Sequence, residues 1–236
     1  MLKTKPIAVF DLDDTLIPST RFYSATLAKL NEISDSDFQI ARKKVKDFLP
    51  AQHVAARNRL LYFKSFSENA GQFNPQEILA LQKNYEDLLS AEIQSFWSGS
   101  GRDELFEKLA LKYELYVLTN ENLRTQLIKL SALGERFVAC ICGMLTSEEA
   151  GVEKPHGDIF RNFISRFKLE HLPPKMFTMI GDNFEHDVQP ALKLGWGAIQ
   201  TLEFANSFTS CGQAEEIQRY STLHEIVQEL LIRVEK

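Results

Sequence analysis

The chain has 236 residues, with 27 lysines and arginines against 32 aspartates and glutamates (net charge −5), 44% apolar and 25% charged residues, and only 11 glycines and 8 prolines. This composition excludes a disordered chain, a collagen-like repeat and a disulfide-stapled miniprotein, and the length admits one large domain or a domain carrying an insertion. The acidic balance offers no general attraction for a nucleic-acid polymer or an anionic membrane.

Pro6 to Phe10 is a short β-branched apolar run that stops at Asp11, so it reads as a buried strand followed by a polar loop. It is too short for the core of a signal peptide, and no stretch approaches the roughly 20 apolar residues of a membrane helix. From Ser19 to Trp97 apolar residues recur at helical spacing, in four predicted helices: about Arg21 to Ile33, Asp37 to Leu49, Pro50 to Asn69, and Pro75 to Trp97 behind an Asn74 N-cap. Pro50 suits a first helical turn, and four antiparallel helices on short loops suggest a bundle. Tyr62, Phe63 and Phe66 read as its core packing, and Arg57, Arg59 and Lys64 as a solvated face.

After Ser98-Gly99-Ser100-Gly101 the pattern turns to helix–strand alternation. Predicted strands cover Leu115 to Leu118, Phe137 to Cys142, Met176 to Ile180 and Ala198 to Thr201. Predicted helices cover Arg102 to Lys112, Glu121 to Leu133, Asp158 to Phe167, His186 to Leu194, and Thr222 to about Val234, the last opened by a capping box. Pro190 is tolerable only in a first helical turn. Strands separated by helices imply right-handed βαβ units, hence an α/β, Rossmann-like three-layer core with a parallel sheet. The core is expected from residues 1–16 and 98–236, with 17–97 inserted as a helical unit. Cys140, Cys142 and Cys211 make an odd count that suits a reducing cytoplasm. The Cys140/Cys142 pair lacks zinc-site spacing and is expected as buried strand thiols.

Ligands of open parallel sheets bind at the carboxyl ends of the strands. There the sequence places Asp11 and Asp13, Thr119 and Asn120, Asp182 and Asp187, with Lys154 in the loop after the third strand. Carboxylates clustered beside one lysine and one hydroxyl suit Mg2+ and a phosphate group. His186 is read as a helix-surface residue rather than a ligand.

These residues resemble the four motifs of the haloacid dehalogenase-like hydrolase superfamily, over essentially the whole chain: Asp11-Leu12-Asp13-Asp14-Thr15 after a strand, Thr119-Asn120 closing a strand, Lys154-Pro155 in a loop, and Gly181-Asp182 with Asp187 five residues on. The insertion is similar to that family's helical cap. The stretch Thr146 to Phe160 and the cap length are most similar to the branch of pyrimidine nucleotidases and N-acylneuraminate phosphatase. The resemblance implies a cytoplasmic Mg2+-dependent phosphatase of a small phosphorylated metabolite, a nucleotide or sugar phosphate. Asp11 is then the nucleophile and Asp13 the proton donor and acceptor, with its backbone carbonyl toward the metal and its carboxyl protonated while Asp11 is ionised. Asp11 and Asp182 are the implied side-chain metal ligands. Asp187 positions either a metal-bound water or Lys154, while Thr119 and Lys154 hold the phosphate. Asn120 either helps there or N-caps the next helix. A phosphomutase keeps the same motifs, and a non-catalytic phosphate-binding or regulatory domain of this fold is a further alternative. A dehalogenase has no need of Asp13, and a response-regulator receiver needs an acid at the end of its third strand, where this chain is expected to have Cys142-Gly143. Oligomeric state is not legible. Relatives often carry Pro-Gly where this chain has Ser98 to Gly101, which implies a looser return from the cap.

Overall fold

The computed structural model of the chain describes residues 5–51, 53–71, 73–206, 209 and 217–235. Strand β1 (Ile7–Phe10) is apolar throughout because both its faces are covered; each of its residues is 0% exposed. It lies between β2 (Glu114–Thr119) and β4 (Phe177–Gly181) in a six-stranded sheet completed by β3 (Ile141–Thr146), β5 (Gly197–Thr201) and β6 (Gln218–Tyr220). The order is β3-β2-β1-β4-β5-β6, and every neighbouring pair is parallel. The chain moves outward one way from β1 through β2 to β3, then returns to β4 and moves the other way. That reversal opens a crevice at the carboxyl ends of β1 and β4.

Alternation along the strands splits the core. Ala8, Phe10, Leu115, Val117 and Ile180 pack with α5 (Arg102–Ala110), α7 (Glu135–Val138) and α11 (Leu223–Glu235), through Phe106, Phe137 and Ile226. Ile7, Val9, Tyr116, Leu118 and Met179 pack on the opposite face with α9 (Gly157–Arg166), through Phe160 and Phe163, and with Trp196. The three-layer parallel architecture is the one expected, because strands buried on both faces must be apolar at both phases of the period.

Between β1 and β2 the chain forms α1 (Ser19–Lys29), α2 (Asp35–Phe48), α3 (Arg59–Asn69) and α4 (Pro75–Trp97), the helical cap. Local signals explain their starts. Ser34 accepts from the Asp37 N–H, and Asn74 accepts from Gln76 and Glu77 with Pro75 in the first turn. Phe38, Tyr62, Phe63 and Tyr85 form an aromatic core among these helices, with ring centres 5.6 to 5.9 Å apart. Pro50 does not open the third helix. The chain passes first through a 3-10 turn, Val54–Arg57, and α3 begins only after Asn58, whose side chain accepts from Leu60 N–H.

The third strand lies further along than expected. Phe137 and Val138 belong to α7, where Phe137 packs edge-on to Phe106 (4.8 Å between ring centres), and the strand runs from Ile141 to Thr146. As an edge strand, β3 needs less apolar cover than its neighbours, so its sequence marks it weakly. Cys140 is accordingly half-buried before the strand and Cys142 is exposed on it, not buried thiols; Cys211 lies outside the described residues. The strand ends in Thr146, not Cys142-Gly143, and still offers no acid. Thr146 forms a capping box with Glu149 for α8 (Ser147–Ala150). After β4, Asn183 caps a single π turn, Phe184–Val188, which leads into α10 (Gln189–Lys193), where Pro190 sits in the first turn. The capping box at Thr222 and Glu225 is present. Gly99 and Gly101 carry positive φ in the return from the cap. Among the described residues, no helix is long and apolar enough to cross a membrane.

Candidate active site

Asp11 directly follows β1, its N–H donating to Ile180 O at 2.8 Å, and its carboxylate is carried to the crevice. Lys154 arrives from the loop after α8 and is 3% exposed. Its ammonium lies 2.9 Å from Asp11 Oδ1, donates to Asp187 Oδ1 at 2.6 Å and to Leu118 O at 2.9 Å. Burial disfavours the charged lysine, but the carboxylates of Asp11 and Asp187 outweigh it and hold its pKa above the ordinary value. Asp187 Oδ2 accepts from Asn183 N–H at 3.1 Å. The π turn widens the backbone at the position that aims Asp187 inward. Gly181 permits that approach, since a Cβ there would lie 2.4 Å from the Asp187 side chain.

Asp182 is anchored by its backbone. Its N–H donates to Thr15 Oγ1 at 2.9 Å, and its carbonyl accepts from Gln200 Nε2 at 2.8 Å. Carboxylate oxygens of Asp11, Asp182 and Asp187 lie within 4.8 Å of one another, and all three residues are buried. Burial, together with the mutual repulsion of these carboxylates, raises the pKa of Asp11 and of Asp182, with Lys154 the opposing charge. Three carboxylates against one ammonium leave an excess of two negative charges in a buried hard-oxygen site, a donor set that fits a divalent cation such as Mg2+.

Asp13 stands apart from that cluster. Its Oδ1 accepts from Lys129 Nζ at 2.6 Å and from Tyr23 Oη at 3.2 Å, and its Oδ2 accepts from Gln126 Nε2 at 2.8 Å. Burial alone would raise the Asp13 pKa, but the Lys129 ammonium overrides it and holds the carboxyl well below the usual range. That direction is opposite to the one favouring the protonated Asp13 that the family resemblance implies. Lys129 and Gln126, on α6 (Leu123–Ala132), are both 0% exposed, and neither is among the residues read from the sequence. The signal for them is two polar residues three apart on the face of α6 that otherwise carries Leu130, and Leu133 just past its end, into the core. Gln126 also donates to Thr119 Oγ1 at 2.7 Å.

Asn120 does not cap α6; Asn122 does, accepting from Thr125 N–H at 2.9 Å. Asn120 instead grips the backbone of Lys154 from both sides, accepting from its N–H at 2.7 Å and donating to its carbonyl at 2.8 Å. Both polar atoms of its amide are thereby engaged in placing Lys154. Asp14, with φ of 55°, accepts from Thr20 N–H at 3.0 Å and so ties the first motif to α1.

The cap roofs these residues over a cavity of about 650 Å³, with Asp11, Thr119 and Lys154 below and Tyr23, Arg42, Arg59 and Tyr62 above. Arg59 is not on a solvated face. It is 9% exposed, pairs with Glu121 at 2.9 Å and stacks over the Tyr23 ring at 3.8 Å. Arg57 reaches across to Glu153 at 3.1 Å, whereas Lys64 pairs on the surface with Glu68. His186 is half-buried on the cavity wall rather than on a helix surface, and burial lowers its pKa.

The chain belongs to the haloacid dehalogenase-like hydrolases, whose family pattern matches residues 6–195. It is an enzyme of that family, and its relatives include phosphatases. It is 30% identical over 201 residues to the ribulose-1,5-bisphosphate 5-phosphatase of Halopiger xanaduensis, covering 79% of this chain and 80% of the relative. It is 26% identical over 206 residues to the glyceraldehyde 3-phosphate phosphatase of Methanocaldococcus jannaschii, covering 83% and 84%. The HAD-hydrolase YfnB from Bacillus subtilis, in a crystal structure bound to magnesium, superposes with a TM-score of 0.65 at 17% identity, covering 97% of this chain and 100% of that one, a likeness of fold. Neither of the two phosphatases is a nucleotidase, so the branch suggested by Thr146 to Phe160 finds no support in them.

Proposed function

We propose that this protein is a Mg2+-dependent phosphatase of small sugar phosphates that works through an aspartyl-phosphate on Asp11. The observation that carries the reading is the buried Asp11–Lys154 pair, 2.9 Å apart, set beside two further carboxylates at the sheet's switch point. The sugar phosphates named for the two relatives support the substrate class.

Asp11 Oδ attacks phosphorus as the ester P–O bond breaks, and water later opens the acyl phosphate to regenerate the carboxylate. Lys154 offsets the phosphate charge that would repel Asp11. Asp187, engaged by both Lys154 and Asn183, positions that lysine, and Asn120 fixes its backbone. Thr119 contributes its hydroxyl to the phosphate oxygens. Asp11 and Asp182, with the backbone carbonyl of Asp13, would hold Mg2+ beside Asp187, and the ion when bound supplies positive charge that draws electron density from the phosphate oxygens. Asp13 moves the proton. Held ionised by Lys129, it is the base for the hydrolytic water. The leaving alkoxide needs its acid form: a monoester that enters as the monoanion brings the proton, Asp13 takes it from the phosphate and passes it to the alkoxide as the P–O bond breaks, and the negative charge of the seated phosphate favours the protonated carboxyl in between.

The test is phosphate release from a panel of sugar and nucleotide monoesters with Mg2+ present. Turnover of sugar phosphates is expected, with Asp11→Asn lowering kcat by at least about 10³-fold. Absence of Mg2+-dependent release across the panel, or an Asp11→Asn protein at full rate, would sink the reading.

A further inference from the structure

The roof of the cavity carries a charged face that the chemistry at Asp11 does not use. On α2 the side chains lining the cavity are Asp35, Phe38, Gln39, Arg42 and Lys46. Spacings of three and four residues put them on one stripe, with the acid at its start and both cations at its end. Arg57, on the 3-10 turn before α3, lines the cavity beside that basic end. Burial, then the charges of Arg42 and Arg57, lower the Lys46 pKa against the opposing charge of Glu153, which marks two further cations close to this lysine.

The other cations of the cavity are matched. Lys154 lies between Asp11 and Asp187, Arg59 against Glu121, and Arg57 against Glu153. Arg42 donates to the neutral Gln39 Oε1 at 3.2 Å, and among the described residues neither Arg42 nor Lys46 has a carboxylate ion-pair partner. Two positive charges without an ion-pair partner among the described residues therefore line the cavity. They lie toward Glu153, the residue that precedes Lys154, and away from Asp35. A phosphate dianion carries the complementary charge, and a guanidinium beside an ammonium suits its oxygens. A cavity of about 650 Å³ has room for a ligand longer than the phosphate at Asp11 alone.

We propose that Arg42 and Lys46, flanked by Arg57, form a subsite for a second phosphate, so that the preferred substrates are short sugar or polyol bisphosphates hydrolysed at one end. The inference rests on the phosphatase reading above, because the first phosphate is placed at Asp11.

Steady-state kinetics of the full chain with Mg2+ would compare ribulose 1,5-bisphosphate and fructose 1,6-bisphosphate with ribulose 5-phosphate, fructose 6-phosphate and p-nitrophenyl phosphate. The wild type is expected to favour the bisphosphates in kcat/KM by about tenfold or more. The Arg42→Gln/Lys46→Gln protein is expected to lose about 10- to 100-fold on the bisphosphates, chiefly in KM, and to turn over p-nitrophenyl phosphate as before. Arg42→Lys, which keeps the charge, is expected to retain most of the preference. A wild type without preference, or an equal loss on p-nitrophenyl phosphate in the double variant, overturns the subsite. Calorimetric titration of ribulose 1,5-bisphosphate into Asp11→Asn protein separates this outcome from failure of the phosphatase reading. Binding weakened tenfold or more by the double substitution supports the subsite even where nothing is hydrolysed, and an unchanged Kd overturns it.

Discussion

The Lys129 side chain is 0% exposed, and its ammonium touches the carboxylate of Asp13, which is 24% exposed. A buried ion pair adds little net stability when intact, because desolvation of both charges offsets their attraction, but removing one member strands the other. Lys129→Met should therefore cost about 3 kcal/mol in urea unfolding at pH 7. Adding Asp13→Asn should recover much of that, since no uncompensated charge remains. A Lys129→Met protein within about 0.5 kcal/mol of wild type would show that the pair does not hold the loop after β1 to α6. Asp11, Thr119, Lys154, Asp182 and Asp187 were legible in the sequence because each follows a strand, or sits in a crossover loop, where an apolar run breaks off into polar residues. Lys129 and Gln126 were not, because a charged or amide residue inside an amphipathic helix reads as solvent-facing unless its partner is known.

Between elements, the cap is tied to the core by Glu86 of α4 and Arg124 of α6, 2.7 Å apart, alongside the Arg57 and Arg59 bridges. Burial raises the Glu86 pKa, but hydrogen bonds from Arg124 and Gln82 outweigh it and leave the pKa below the usual 4.5. A carboxyl with a depressed native pKa contributes stability that is complete above its unfolded value and lost as pH falls through the native one. Arg124 is 69% exposed, so solvent screens the pair and Glu86→Gln should cost under about 1 kcal/mol at pH 7. That cost should shrink as pH falls below the usual 4.5 and through the lower native pKa, measured as the difference in unfolding free energy from wild type. A cost that grows on acidification would reverse the sign and remove the pair from the cap's attachment. Elements differ in legibility for a related reason. β1, β2 and β4 are covered on both faces and announce themselves as apolar runs, whereas β3, at the sheet edge, buries Leu145 and Thr146 and leaves Cys142 exposed. The stronger apolar signal around Phe137 belongs to α7, and it drew the expected strand about four residues too early.

At the scale of the whole molecule, the fold concentrates like charge where its topology reverses. Asp11, Asp182 and Asp187 converge with Lys154 as the one cation paired with them among the described residues, so the metal-free protein bears an electrostatic cost at the centre of its sheet. A cation that binds the native chain and not the unfolded one should relieve that cost. At a Mg2+ concentration of about 100 times Kd the native state gains about 2.7 kcal/mol, and for a chain of this size that corresponds to a Tm rise of roughly 5–10 °C. EDTA should reverse the rise. Asp182→Asn separates this account from a general salt effect: with one repelling carboxylate gone, the metal-free variant should melt no lower than wild type, while its Mg2+-induced shift disappears. An Asp182→Asn protein that keeps the full shift would place the ion elsewhere. One that melts well below wild type without metal would mean that the backbone bonds from Asp182 to Thr15 and Gln200, rather than charge crowding, govern stability at the switch point.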